Sequence, residues 1–252
     1  MNAGAVRSAA ARIAGRVHRT PVLTSATLDG RTGTRVTVKN EAVQKTGSFK
    51  VRGALNRLLT LPEEALDRGL VAVSAGNHAA AVAWAAAQVG AKATVVMPTN
   101  APAAKVAACW GYGAEVVLHG DTTGEAFAEC ERLQRERGLT FVHPFDDPEI
   151  VAGQGTSGLE LVSDAGPLDV WVCCVGGGGL ICGTSLAVRD ANPGCRVVGV
   201  EPAGAAALTA ALAAGRPVPV VPRSVADGLC APFAGPVTFP LFRELVDEVV
   251  LV

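Results

Sequence analysis

The sequence predicts an α/β protein built on open, mostly parallel sheets flanked by helices. Two observations carry this. A strand-like segment is followed by a helix-like one six times in succession, and the strand-like segments are unbroken runs of valine and cysteine rather than alternations. Such runs mark strands covered on both faces. A chain of 252 residues, 49% hydrophobic and 18% charged, also carries enough apolar mass for one large core or two smaller ones.

Taken in order, Val6, Ile13 and Val17 lie on one side of an amphipathic first helix that Thr20-Pro21 should stop. The same stretch has arginines and no acid but lacks the serine richness of a transit peptide. Arg35–Asn40 alternates as a short strand, and Ala54–Leu59 reads as helix with Lys50 in its first turn. Val71–Ser74 then precedes a helix over Asn77–Val89, Thr94–Pro98 one over Ala103–Trp110, and Ala114–Leu118 one over Thr123–Arg137. Thr140–His143 precedes Pro148–Asp164, Asp169–Val175 precedes Leu180–Asp190, and Arg196–Val200 precedes Ala205–Ala214. A proline-rich stretch follows, then a short helix near Leu241–Val246 and a β-like run over Glu248–Val252.

Net charge is −1, so no basic field draws the chain to nucleic acid or an anionic membrane. No apolar run has the length of a transmembrane helix. Seven cysteines form no C-x-x-C pair and mostly sit in apolar runs. They read as buried small hydrophobes of a cytoplasmic protein, not as a disulfide framework or a zinc site.

Three segments carry chemistry. Lys50, in K-T-G-S-F-K-V-R-G-A (45–54), enters a helix at its positive end, which should lower the amine pKa and leave more of it free as a nucleophile for an aldehyde. A lone lysine is ordinarily a surface one, and two glycine-rich turns at strand ends change that balance. Ser74-Ala75-Gly76-Asn77-His78 offers small residues and free N–H groups at a helix start, suited to a carboxylate. Gly176-Gly177-Gly178-Gly179 removes every side chain where backbone N–H groups can wrap a phosphate; close strand–helix packing would need one glycine rather than four. G-x-G-x-x-G fails because the last position is Cys182, and G-x-x-x-x-G-K-[ST] is absent. A reactive lysine, a carboxylate turn and a phosphate cup together point to pyridoxal phosphate.

Arg19-Thr20-Pro21, K-T-G-S-F-K-V-R-G-A (45–54), S-A-G-N-H (74–78), A-G-Q-G-T (152–156), V-G-G-G-G-L (175–180) and Glu201-Pro202 occur in one order and spacing. With these the chain, from about Ile13 to Val252, resembles the threonine/serine dehydratases. These are pyridoxal-phosphate enzymes of the two-domain, tryptophan-synthase-β-like fold (fold type II). The resemblance implies Lys50 as the Schiff-base lysine, Phe49 beside the cofactor ring, Asn77 on the ring hydroxyl, and Gly176, Gly177, Gly178, Gly179 and Leu180 around the phosphate. It implies Ser74, Ala75, Gly76, Asn77 and His78 at the substrate carboxylate. It also implies a large domain from 1–64 and 146–252, a small domain over 65–145, and a homodimer or higher homo-oligomer.

The implied reaction is β-elimination of L-threonine or L-serine to a 2-oxo acid and ammonia. The alternatives are a serine racemase, a dehydratase for another β-hydroxy amino acid, and a truncated, non-catalytic fragment. Serine racemases place a serine where this chain has Ala75, which points to elimination. Relatives with a divalent metal have a second carboxylate shortly after the Glu201 equivalent. Here the run is Glu201-Pro202-Ala203-Gly204-Ala205-Ala206-Ala207, so no metal is expected and Glu201 should cap a helix or pair with a neighbour. The family's final helix, strand and serine- and glycine-rich turn, which meets the pyridine nitrogen, have no counterpart in these residues.

Overall fold

In the computed structural model, which describes residues 1–252, the first helix, α1 (Ala3–Ile13), begins where the Asn2 side chain accepts the Ala5 N–H. It ends well before Thr20-Pro21. Ala14 turns extended and Gly15 takes φ +73°, so Val17 packs against the core from a loop instead of from the helix. Strands β1 (Val22–Thr24) and β2 (Thr37–Lys39) pair antiparallel, Leu23 opposite Val38, with α2 (Ala26–Thr32) between them. Only β2 was legible in the sequence, where Val36 and Val38 alternate with polar residues; β1, Val-Leu-Thr, shows no alternation. Helices α3 (Lys50–Leu58) and α4 (Glu63–Arg68) follow.

A four-stranded parallel sheet comes next, from β3 (Leu70–Val73), β4 (Ala93–Met97), β5 (Glu115–Leu118) and β6 (Thr140–Phe141), ordered β5-β4-β3-β6. Helices α5 (Asn77–Val89), α6 (Ala103–Gly111) and α7 (Thr123–Arg137) connect these strands. Every residue of β3 and β4 is buried, as continuous apolar runs require. The strand order reverses beside β3, so the loop leaving its carboxyl end opens into a crevice. That loop is Ser74–Gly76.

The rest of the chain forms a three-stranded parallel sheet, β7-β8-β9. It is built from α8 (Pro148–Ala165), β7 (Val170–Cys174), α9 (Gly179–Ala191), β8 (Arg196–Glu201), α10 (Ala207–Ala214), α11 (Thr238–Leu245) and β9 (Glu248–Leu251). Here the two-faced reading fails for β7. It is an edge strand, and Val170 and Val172 are 50% and 56% exposed. The cysteine reading is corrected at the same strand: Cys174 is exposed and Cys230 half-buried, while the other five are buried.

The two units share a stack of helices α3, α8 and α9, and glycines set its spacing. A Cβ on Gly153 would lie 2.6 Å from the Arg52 carbonyl oxygen, and one on Gly155 2.5 Å from the Gly183 carbonyl oxygen. The A-G-Q-G-T run therefore lets α8 touch a helix on each side. No helix is long and apolar enough to cross a membrane.

Candidate active site

Lys50 is the first residue of α3, with Phe49 capping the helix without a side-chain hydrogen bond. Its Nζ donates to the Pro144 carbonyl oxygen at 2.7 Å and lies 5.3 Å from the centre of the Phe49 ring. No carboxylate pairs with it; none of the ion pairs of the fold includes Lys50. The amine pKa is pushed down to about 8 by loss of water around the ammonium. At neutral pH about a tenth of such amines is unprotonated, against well under a thousandth at the ordinary lysine value.

Phe49 and Lys50 share a cleft with Gly176–Gly179 and Leu180, and Pro144, Phe145, Gln154, Gly228 and Leu229 complete its wall. The glycine turn ends in Gly178 at φ +90°, and α9 starts at Gly179, so the first N–H groups of α9 have no acceptor within the helix. Protein atoms lie close to all four glycines. A Cβ on Gly177 would run into the Phe145 ring, one on Gly179 would lie 3.0 Å from the Phe145 carbonyl oxygen, one on Gly178 3.2 Å from Thr238, and one on Gly176 3.2 Å from Leu229. Close packing thus demands glycine at 177, the φ of +90° favours it at 178, and the contacts at 176 and 179 are tight, so packing accounts for more than one of the four.

No residue of the Ser74–His78 turn lines this cleft; the turn approaches it where Asn77 nears Gly228 of the wall. Ser74 Oγ accepts the Gly76 N–H at 3.1 Å, which shapes the turn, and α5 begins at Asn77 with the free N–H groups of a helix start. Asn77 is exposed, and its Nδ2 lies 3.9 Å from where a Gly228 Cβ would be. The side chain of His78 turns away from the anion turn. Its ring is buried, Nε2–H donates to the Val142 carbonyl oxygen at 2.9 Å, and burial with the nearby Lys50 charge pushes its pKa down to about 3. What it can give a carboxylate is its backbone N–H.

The sequence reading missed the two stretches that close the cleft, His143–Phe145 and Asp227–Leu229. The first lies at the carboxyl end of β6, next to the crevice strand, so strand order alone could have flagged it. His143 Nδ1 accepts the N–H groups of Phe145 (3.2 Å) and Asp146 (2.7 Å), fixing the turn that presents Pro144 to Lys50. Asp227–Leu229 lies in a proline-rich segment with no periodic signal.

Glu201 does what its sequence context suggested. Fully buried, it accepts the N–H groups of Leu208 and Thr209 and the Thr209 hydroxyl, at 2.9, 3.0 and 2.6 Å, and so caps α10. Its oxygens are taken by protein donors.

Pyridoxal phosphate requires an amine of lowered pKa, a backbone anion site and an apolar wall for its ring. Lys50, the Gly176–Gly179 turn running into α9, and Phe49 meet these requirements around one cleft. The parallel sheets and the cleft between their helix starts belong to the tryptophan-synthase-β-like, fold type II class. Residues 13–252 match the model of the family described as "Pyridoxal-phosphate dependent enzyme", and the chain belongs to that family.

It is 45% identical over 248 residues to an L-threonine ammonia-lyase of Geobacter sulfurreducens, covering 98% of this chain and 62% of that one. It is also 45% identical over 237 residues to an L-threonine ammonia-lyase of Thermotoga maritima, covering 94% of this chain and 59% of that one. The chain thus spans less than two thirds of the length of these curated relatives. A structure of maize serine racemase superposes with a TM-score of 0.95 at 40% identity, covering 100% of this chain and 76% of that one.

Proposed function

We propose that this protein deaminates a β-hydroxy amino acid, L-threonine or L-serine: the β-hydroxyl is eliminated as water, and the enamine left behind takes up water and releases ammonia to give a 2-oxo acid. The observation that carries the reading is the Lys50 amine, low in pKa, facing a bare helix start across an aromatic-walled cleft. Lys50 would hold the cofactor aldehyde, Gly176–Gly179 and Leu180 its phosphate, Phe49 one side of its ring and Asn77 its ring hydroxyl. Bound pyridoxal phosphate supplies an electron sink that makes the Cα proton of an amino acid removable.

Lys50 Nζ would be the base that accepts that proton. Its surroundings suit the task, because burial already favours the neutral amine and no carboxylate holds the charged form. The N–H groups at the start of α5 would orient the substrate carboxylate. Phe145 and Leu229, seated on the glycine turn, would exclude water from the reacting carbon.

Racemisation would need a proton donor on the face opposite Lys50. Ala75 in the substrate turn has none, which supports elimination. On the same reading, 1–64 and 146–252 form the cofactor domain and 65–145 the domain that closes on it. Seven unpaired cysteines support a reducing compartment. Leu23 and Val38, opposite one another and both exposed, support association of copies.

The test is borohydride reduction of the chain incubated with pyridoxal phosphate, with the adduct located by mass spectrometry and ammonia from L-threonine measured beforehand. An adduct on Lys50 and ammonia release are expected, both lost in Lys50→Ala. Ammonia release that survives Lys50→Ala would sink the assignment.

A further inference from the structure

We propose that Lys105 is a substrate-binding residue whose ammonium is held at the lip of the Ser74–His78 turn by Asp227 and passes to the carboxylate of an arriving amino acid. The inference rests on the proposed function and adds a residue and an exchange of ion-pair partners to it.

Lys105 sits in the first turn of α6, after Pro102 and with no acid beside it in that turn. A cation there meets the positive end of the helix, so the helix does not favour it. Its Nζ lies 2.6 Å from Asp227 Oδ2 and 3.4 Å from where a Cβ on Gly76 would stand. The ammonium therefore rests against the backbone of the carboxylate turn. Among the ion pairs of the fold, this is the only one that joins residues 65–145 to the rest of the chain.

Asp227 stands in a short stretch that touches both anion-binding turns: Gly228 faces Asn77, and Leu229 backs Gly176. Its carboxylate occupies the position that an incoming carboxylate would take beside Lys105. The pair is open to water, with side chains 35% and 77% exposed, so it is weak enough to exchange. Other charge near the turn is scarce. The His78 ring is buried and neutral, and Lys50 is committed to the cleft floor. Beside the backbone N–H groups and the Ser74 and Asn77 side chains, Lys105 offers the turn a positive charge.

The sign of two substitutions separates this role from a plain structural latch. Binding of L-alanine, which has the carboxylate but no β-hydroxyl to lose, is measured by titration calorimetry on the chain loaded with pyridoxal phosphate. Asp227→Asn removes the competing anion and is expected to tighten binding about three- to five-fold, the range of an exposed ion pair. Lys105→Gln is expected to weaken it by a similar factor, Lys105→Arg to keep most of it, and the double variant to behave as Lys105→Gln.

If both single substitutions weaken binding, the pair only holds the two units together and the assignment is overturned; unchanged binding in either overturns it too. Borohydride trapping in the same preparations separates this idea from the one beneath it. An adduct on Lys50 with L-alanine binding indifferent to Lys105 removes the Lys105 role alone. No adduct on Lys50 removes the cofactor reading and this role with it.

Discussion

His143 is the residue on which the reactive lysine's surroundings turn. Burial pushes its pKa down to about 4, with Asp146 opposing and the Lys50 charge adding, and the neutral ring is the form whose Nδ1 accepts two backbone N–H groups. A group with a folded pKa below its ordinary value stabilises the fold fully above that ordinary value, near 6.5 for histidine. The contribution is then lost as pH falls towards about 4, and His78 works in the same direction. Lys50 has a different window: stability tied to it rises as pH climbs from about 8 to its ordinary value of 10.5. We expect the urea midpoint of the cofactor-free chain to fall between pH 6.5 and 4, less steeply in His143→Asn, whose amide oxygen can still accept. Parallel curves for the two proteins would contradict this account of the turn.

At the scale of elements, the site is built by helices that approach more closely than side chains allow. Gly53 meets Gln154, whose Oε1 accepts the Gly53 N–H at 3.1 Å, while a Cβ on Gly183 would collide with the Val151 carbonyl oxygen. These contacts fix α3, and hence Lys50, relative to α9, and hence the glycine turn. Gly183→Ala should cost about 1–3 kcal/mol, because the obstacle is backbone that cannot rotate away. Urea unfolding checks this, with Gly194→Ala, where a Cβ meets open space, as the control. The runs at 45–54 and 152–156 were legible as motifs, but their helix-crossing role was not, because one sequence does not say which glycine faces which helix.

Across the whole molecule, a buried charge network joins the amino-terminal segment to the lysine's helix. The fully buried Arg52 guanidinium pairs with Glu41 and Glu160, at 2.8 and 2.7 Å, and donates to the His18 carbonyl oxygen. Lys39 pairs with Glu160 at 2.7 Å and donates to the Thr20 carbonyl oxygen. Desolvation works against each charge, and the mutual pairing offsets it, so removing one partner leaves its neighbours buried and uncompensated. Arg52→Met is expected to destabilise the chain by about 3–5 kcal/mol in urea unfolding, whereas Arg7→Met, which breaks an exposed pair with Asp190, should cost under about 1 kcal/mol. Equal losses in the two variants would mean that the network contributes little.

By itself the sequence determined the strand–helix alternation from Val71 to Ala214, the parallel sheets that follow from it, and the lysine and glycine turns that point to the cofactor family. These are local signals: a period, a run of small residues, a helix start. Tertiary structure alone decided what lies between those turns. Pro144 and Phe145, Asp227 to Leu229, the Lys105–Asp227 pair and the retreat of His78 into the core join residues far apart in the chain. Their roles depend on strand order and helix crossing, which no local window contains. The lysine's pKa shows the division most plainly. Its direction was readable from sequence, while its cause, removal of water by segments dozens of residues away, exists only in the folded chain.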